Sequence, residues 1–146
     1  MEFNNVKEAV NNSSLLSGLP DELLGELLWG ASEIKVSKGE TVYTEGSELD
    51  GTFSILLEGT LSISQDGEHK KNVVPEDVDE GRYPVMGGFA YFHRDHVRTV
   101  TVTAESETAS VLKLSMPADL LLNDERYAAL KERLSAATGR HWSEDQ

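Results

Sequence analysis

The chain has 146 residues, with 26 acidic and 13 basic side chains and a formal net charge of -13. This length fits one domain and excludes two full domains. Because there is no cysteine, disulfides, thiolate-bound zinc, iron–sulfur clusters and cysteine nucleophiles are excluded. The acidic charge disfavours direct nucleic-acid binding, which depends on lysines and arginines. Neither a membrane-inserting apolar run nor a secretion signal is visible, so we expect a cytoplasmic protein.

The beginning of the chain is predicted to be helical. Phe3, Val6 and Val10 recur at the spacing of one helix face. A second helix is predicted after Pro20, because proline and the two carboxylates that follow it favour a helix start. Four leucines then form a stripe for one buried face: Leu23, Leu24, Leu27 and Leu28.

Short β-rich runs separated by glycine turns follow, and they predict antiparallel strands rather than parallel strands joined by helices. The predicted strands are 33–36, 40–44, 52–57, 59–64, 97–104 and 109–114. The polar, charged segment 66–80 is predicted to be an exposed hairpin tip and loop.

After Pro117 the pattern is helical again, and five residues are spaced for one buried face: Leu120, Leu121, Tyr127, Leu130 and Leu134. Gly139 suits a helix terminus, and residues 141–146 are expected to fray. The sequence therefore predicts a single, mainly β domain, a jelly-roll-like antiparallel β-roll flanked by helices. The N-terminal helices fall in residues 1–31, the β-roll in 33–115 and the C-terminal helices in 117–140.

An arginine on an apolar strand face is the strongest chemical signal. Strand alternation across residues 97–104 places Arg98 on the same face as Val100 and two further apolar residues. A buried guanidinium needs an anion, because an unpaired buried charge is costly. That anion is either an internal carboxylate or a bound phosphate.

Two glycines precede this arginine. Gly87 and Gly88 stand before an apolar run. Glycines here could expose backbone amides to a phosphate and begin a short helix. A double glycine more often indicates only a tight turn. The window 82–104 also carries a local charge of +2, which suits either a small anion or pairing with acidic neighbours.

Four motifs occur in a recognisable order: LSGLP at 16–20, KGETV at 38–42 followed by EG at 45–46, ILLEGTL at 55–61 and RTVTVTA at 98–104. Together they resemble the cyclic nucleotide-binding domain family, which includes bacterial catabolite-activator regulators and the regulatory subunits of cyclic-AMP-dependent kinase. The resemblance covers nearly the whole chain and implies a phosphate-binding cassette at residues 81–104, with cAMP or cGMP as the possible ligand.

The resemblance also assigns roles within the cassette. Arg98 would hold the cyclic phosphate, and Thr99 would add a hydroxyl and an amide. Val100, with Val102, would lie near the ribose and base. The backbone side of the pocket would be formed by Gly87, Gly88, Phe89 and Ala90.

The cassette departs from the family pattern at Gly88, where relatives have the glutamate that holds the ribose 2′-hydroxyl. Losing such a hydrogen bond costs about 1–3 kcal/mol. Pro84 and Val85 are also inserted relative to the usual spacing. A degenerate site, a site of altered specificity and a functional site therefore all remain open.

No catalytic residues, resident cofactor or metal site are expected. The four histidines match no common ligand pattern, although a haem-binding variant of the fold would need one of them or a methionine as axial ligand. No nucleophile motif is present. Trp142 could stack on a bound base, or pack loosely or meet a partner.

The expected function is a non-catalytic sensor that binds a cyclic nucleotide or related phosphate ligand. Its C-terminal helix, at residues 124–137, would close over the ligand and signal to a protein partner or within a homodimer. The alternative is a ligand-free interaction or scaffold module that keeps the β-roll but has lost its nucleotide site. In that case an internal acid neutralises Arg98.

Overall fold

The computed structural model describes residue 16, residues 18–74 and residues 85–142. Its elements are α1 (Asp21–Trp29), β1 (Ser32–Ser37), β2 (Thr41–Tyr43), β3 (Thr52–Glu58), β4 (Leu61–Gln65), β5 (Glu68–Val73), β6 (Val85–Met86), α2 (Phe89–Phe92), β7 (Thr101–Ala104), β8 (Thr108–Ser115), α3 (Ala118–Asn123), a 3₁₀ helix (Glu125–Tyr127) and α4 (Ala128–Trp142). The predicted class, a mainly β fold flanked by helices, is confirmed. The helix predicted around residues 3–10 lies outside the described residues. Within the described part, no helix has the length and apolar character needed to cross a membrane.

Two four-stranded antiparallel sheets form the roll. One has the strand order β1-β8-β3-β6 and the other β2-β7-β4-β5. In the first sheet Ile55 pairs with Leu112, and in the second Ile63 pairs with Val102. These pairings join strands that are distant in sequence, as the predicted roll requires.

The first sheet separates two hydrophobic cores. Along β8, Ala109 and Val111 belong to the core between the sheets, whereas Leu112 and Leu114 face the helices. All four are at most 2% exposed. Strand alternation thus gives β8 two buried faces, and this explains why the strand is buried almost continuously from Ala109 to Leu114.

The helices cover the outer face of the first sheet. Leu23 and Leu27 of α1 and Leu130 and Leu134 of α4 are buried in the same core. The Tyr127 hydroxyl donates a hydrogen bond to a Glu26 carboxylate oxygen, and this bond joins the 3₁₀ helix to α1. Helix α4 also contacts α2 and β6, which belong to the cassette.

The prediction of an exposed hairpin tip and loop across residues 66–80 is right for the turn at Asp66 and Gly67 and wrong for residues 68–73. They form β5, which pairs with β4 at the edge of the second sheet. Its side chains are mostly exposed, and only Val73 is buried. A strand at a sheet edge needs backbone hydrogen bonds from one neighbour and tolerates charged side chains, so the polar composition concealed it. The short strand β6 was not predicted either.

Two predicted boundaries also require correction. The strand predicted for 97–104 begins only at Thr101, and Val97 forms an isolated bridge with Glu48. The C-terminal helical segment is divided, because Asp124 is extended (φ -97°, ψ 124°) and its side chain accepts a hydrogen bond from the Arg126 amide. Gly139 lies inside α4 rather than at its end, and the helix continues to Trp142.

Candidate functional site

A glycine with a left-handed backbone begins the cassette. Gly87 follows β6 with φ +82°, a conformation that L side chains rarely adopt. A Cβ atom here would lie 2.8 Å from Cζ of Tyr43 and 2.9 Å from Nη1 of Arg98. The cassette backbone, the Tyr43 ring and the arginine therefore meet at a point with no room for a side chain. Helix α2 begins two residues later, and the Tyr91 amide donates to the Gly88 carbonyl.

Backbone hydrogen bonds bring Arg98 to this point. Its amide donates to the Ser47 carbonyl and its carbonyl accepts from the Gly46 amide, both at 2.8 Å. The Leu49 amide also donates to the His96 carbonyl at 2.8 Å. Although Arg98 precedes β7, its side chain points inward and is 4% exposed. The buried position predicted from strand alternation is therefore confirmed.

The guanidinium of Arg98 is held by groups of the protein itself. Nη1 donates to the Gly87 carbonyl at 2.6 Å, and Nη2 donates to the Asp50 carboxylate and to the Thr52 carbonyl, each at 2.9 Å. Among the described residues, Nε of Arg98 has no hydrogen-bond acceptor. Of the two anions that the sequence left open, the structure contains the internal carboxylate.

The counter-ion, Asp50, lies at the surface end of this pair. Its side chain is 55% exposed, and it accepts hydrogen bonds from both the amide and the hydroxyl of Thr52. Partial burial acts to raise the pKa of Asp50. The Thr52 hydrogen bond and the positive charges of Arg98 and Lys113 outweigh that effect and hold this pKa below its usual value. The carboxylate is therefore ionised at neutral pH and remains paired with Arg98.

Tyr43 packs on the guanidinium. Its ring centroid is 4.0 Å from Cζ of Arg98 and 5.4 Å from Nζ of Lys113, both within cation–π range. The Tyr43 hydroxyl shares a buried 2.6 Å hydrogen bond with Oγ of Ser54. Burial raises the pKa of the Tyr43 phenol despite the Ser54 bond and the Arg98 charge, so the hydroxyl stays protonated.

Sequence reasoning missed both Tyr43 and Asp50. Tyr43 shows only the alternation of a short strand, which indicates burial and not contact with an arginine. Asp50 is one of 26 acidic residues, and nothing local distinguishes it from the others. Their roles depend on contacts across 48 residues of chain or more, which composition and spacing do not encode.

Five of the seven predicted ligand residues line one small cavity. Its volume is about 20 Å³, close to the minimum for a single water and far below the roughly 300–1,000 Å³ of a typical small-molecule pocket. Gly88 is buried but does not line the cavity, and the Phe89 side chain lies outside the described part. Of the described residues, those that line the cavity are Tyr43, Gly87, Ala90, Arg98, Thr99, Val100 and Val102.

Two further predictions concern the cassette entrance and Trp142, which the structure describes only in part or not at all. Residues 81–84, at the predicted cassette entrance, are not described, and neither is the Trp142 side chain. In the part of the chain that is described, no group of three or more metal-ligating side chains is found.

Comparison with known proteins identifies the family to which the chain is similar. Residues 33–121 match the family model described as the cyclic nucleotide-binding domain. No protein of curated function matches the sequence significantly.

Three solved structures illustrate the shared fold. The sensor domain of the transcriptional regulator DNR from Pseudomonas aeruginosa has a TM-score of 0.70 at 16% identity, over 94% of both chains. The regulatory domain of Toxoplasma gondii PKA, crystallised with cAMP, has a TM-score of 0.66 at 22% identity over 90% of this chain and 48% of its own. The regulatory subunit of a cAMP-independent protein kinase A from Trypanosoma brucei has a TM-score of 0.68 at 17% identity, over 96% of this chain and 48% of its own. The chain thus spans about half the length of the two kinase regulatory proteins.

The family model covers more than half of the chain, and the structural likeness shows the same roll with helices at both ends. The chain belongs to the cyclic nucleotide-binding domain family.

Proposed function

We propose that this chain is a non-catalytic regulatory module whose cassette is closed by its own counter-ion and which acts through protein contact rather than through a tightly bound cyclic nucleotide. One observation carries the proposal. The buried Arg98 guanidinium is already paired with Asp50 and with two backbone carbonyls.

Charge and space both argue against ready phosphate binding. The carboxylate of Asp50 already neutralises Arg98, so a phosphate at the same point would meet a negative charge 2.9 Å from Nη2. The cavity of about 20 Å³ would have to enlarge greatly before a nucleotide could enter. Gly88 cannot replace the glutamate that relatives use for the ribose hydroxyl. Each of these features lowers the affinity for a cyclic nucleotide.

The fold is compatible with regulation through protein contact without a bound cyclic nucleotide. The similar structure from Trypanosoma brucei is a regulatory subunit of a kinase described as cAMP-independent. In the present chain, α4 contacts both α2 and β6, so the cassette and the C-terminal helix form one packed unit. A partner that binds α4 could therefore read the state of the cassette, and a closed cassette would present a constant surface.

Calorimetric titration tests this proposal. Wild-type protein at neutral pH is titrated with cAMP, cGMP, the pyrimidine cyclic nucleotides and cyclic dinucleotides up to millimolar concentration. We expect no binding heat and no rise in melting temperature. A saturable heat that disappears in Arg98→Met, with a dissociation constant below about 0.1 mM (about 5.5 kcal/mol of binding free energy), would contradict a closed cassette.

A second candidate, the ligand-responsive sensor, is supported by a specific arrangement. Five of the seven predicted ligand residues line one cavity, and Nε of Arg98 has no hydrogen-bond acceptor among the described residues. In this mechanism a ligand phosphate would displace Asp50 from Arg98, and α4 would move with the cassette. Gly88→Glu separates the two candidates, since it should raise cyclic nucleotide affinity at least tenfold in a sensor and have no effect in a closed module.

A further inference from the structure

The ring of Tyr43 packs against Gly87 and Arg98, the two groups from which a phosphate site would be built. Cassette backbone and arginine must both reach an anion that they bind together. Here a Cβ atom at Gly87 would sit within 3 Å of both the Tyr43 ring and Nη1 of Arg98, so the three groups are in close contact. Nη1 of Arg98 already donates to the Gly87 carbonyl at 2.6 Å, and the phenol ring packs against both groups, so a phosphate has no room between them.

This ring is held from several directions. The guanidinium of Arg98 packs at 4.0 Å from its centroid, and the Ser54 hydroxyl fixes the phenol oxygen at 2.6 Å. Lys113 approaches the same ring at 5.4 Å. Tyr43 is 6% exposed. A side chain with so many fixed neighbours cannot move aside without losing a cation–π contact and a buried hydrogen bond.

We propose that the Tyr43 side chain occupies the anion position of the cassette and thereby determines which ligands Arg98 can accept. This inference rests on the proposed function, because it names the group that keeps the closed cassette empty. Tyr43 acts as a specificity-determining residue. The excluded ligands are compounds with a phosphate monoanion, above all cyclic nucleotides.

Local charge favours anion entry once the ring is gone. Two positively charged side chains, Arg98 and Lys113, face the ring. Among the described residues, the carboxylate in contact with the guanidinium is that of Asp50. Two positive charges against one negative charge leave the vacated space with a positive balance, and such a balance attracts a phosphate. Truncation of Tyr43 should therefore create a site and not merely a void.

The experiment compares Tyr43→Val with Tyr43→Phe, which keeps the ring and removes only the hydroxyl. Each variant and the wild-type protein are titrated calorimetrically with cAMP and, separately, with inorganic phosphate. Circular dichroism and melting curves establish that each variant is folded. Tyr43→Leu, which retains more apolar volume, replaces Tyr43→Val if that variant melts below the assay temperature.

We expect Tyr43→Val to bind cAMP at least tenfold more tightly than wild type, and Tyr43→Phe to behave like wild type. The gain should vanish in the double variant Tyr43→Val/Arg98→Met, because the new site depends on the guanidinium. A gain that persists without Arg98 overturns the inference. Folded Tyr43→Val and Tyr43→Leu proteins without any gain also overturn it, and so does an equal gain in Tyr43→Phe.

The two proposals fail in different ways. Tight cAMP binding by the wild-type protein contradicts the closed cassette itself. Absence of binding in the wild type together with absence of binding in folded truncation variants leaves the closed cassette supported and contradicts only the role of Tyr43. Binding of inorganic phosphate but not of cAMP by Tyr43→Val supports an anion position and restricts the new space to small anions.

Discussion

Replacing Asp50 with asparagine removes the negative charge of the buried pair while it keeps an oxygen that Thr52 and Arg98 can still contact. Arg98 is 4% exposed, but the Asp50 side chain is 55% exposed. Removing one partner of a fully buried pair costs about 3–5 kcal/mol, whereas a fully exposed pair contributes about 0.2–1 kcal/mol. The mixed burial of this pair places the expected loss between these limits, at about 1–3 kcal/mol at pH 7.

The dependence on pH gives this prediction a second test. The pKa of Asp50 is lowered in the folded protein, because the Thr52 hydrogen bond and the charges of Arg98 and Lys113 outweigh partial burial. A carboxylate with a depressed folded-state pKa stabilises the protein above its unfolded-state pKa of about 3.9, and this contribution is lost as the pH falls through the folded value. The stability difference between wild type and Asp50→Asn should therefore begin to shrink near pH 4 and disappear only below the folded-state pKa of Asp50.

Urea unfolding followed by circular dichroism, at a series of pH values from 7 to 3, measures both effects. Glu107→Gln is the matched control, because Glu107 is exposed and neutralising it should change the unfolding free energy by less than about 0.5 kcal/mol. Equal stability of Asp50→Asn and wild type at pH 7 would refute the internal ion pair. A difference that remains unchanged at pH 3 would show that it does not come from charge.

Two further variants test the packing around the site. Gly87→Ala should cost at least about 2 kcal/mol, because its Cβ would lie 2.8 Å from the Tyr43 ring and its φ is +82°. The control Gly25→Ala, in an open helical position with no atom within 4 Å, should stabilise by about 0.4–1 kcal/mol; equal effects at the two glycines would show that crowding is not the cause. Leu134→Ala in α4 should lose about 2.7–5 kcal/mol, because Leu134 is fully buried. The exposed Glu132→Ala should lose less than about 0.5 kcal/mol, and a comparably small loss at Leu134 in chemical denaturation would mean that α4 is not docked.

The inward direction of Arg98 was predictable because alternation of side chains is a local property. Val102 and Ala104 are buried and Thr103 is only partly so, and Arg98 has the same parity as the two buried residues although the regular strand begins only at Thr101. The glycine turns and the leucine stripe of α1 were predictable for the same reason, since backbone conformation and helical periodicity are properties of a few adjacent residues.

The partners of Arg98 were not predictable in the same way. Asp50 is 48 residues away, and the two segments meet only because the β-roll and the hydrogen bonds of Arg98 with Ser47 and Gly46 bring them together. Strand β5 was missed for a different reason. It pairs with the preceding strand β4 through the two-residue turn at Asp66 and Gly67, but its charged side chains resemble those of a loop.

The two faces of β8 have a practical consequence for measuring motion. Val111 and Leu112 are neighbours in sequence, are both completely buried, and lie in different cores, one between the sheets and one beneath the helices. Isotope-labelled methyl groups at these two positions would therefore report separately by NMR. Loosening of the roll would perturb the Val111 signals, whereas undocking of a helix would perturb those of Leu112, so one strand carries a resonance for each kind of rearrangement.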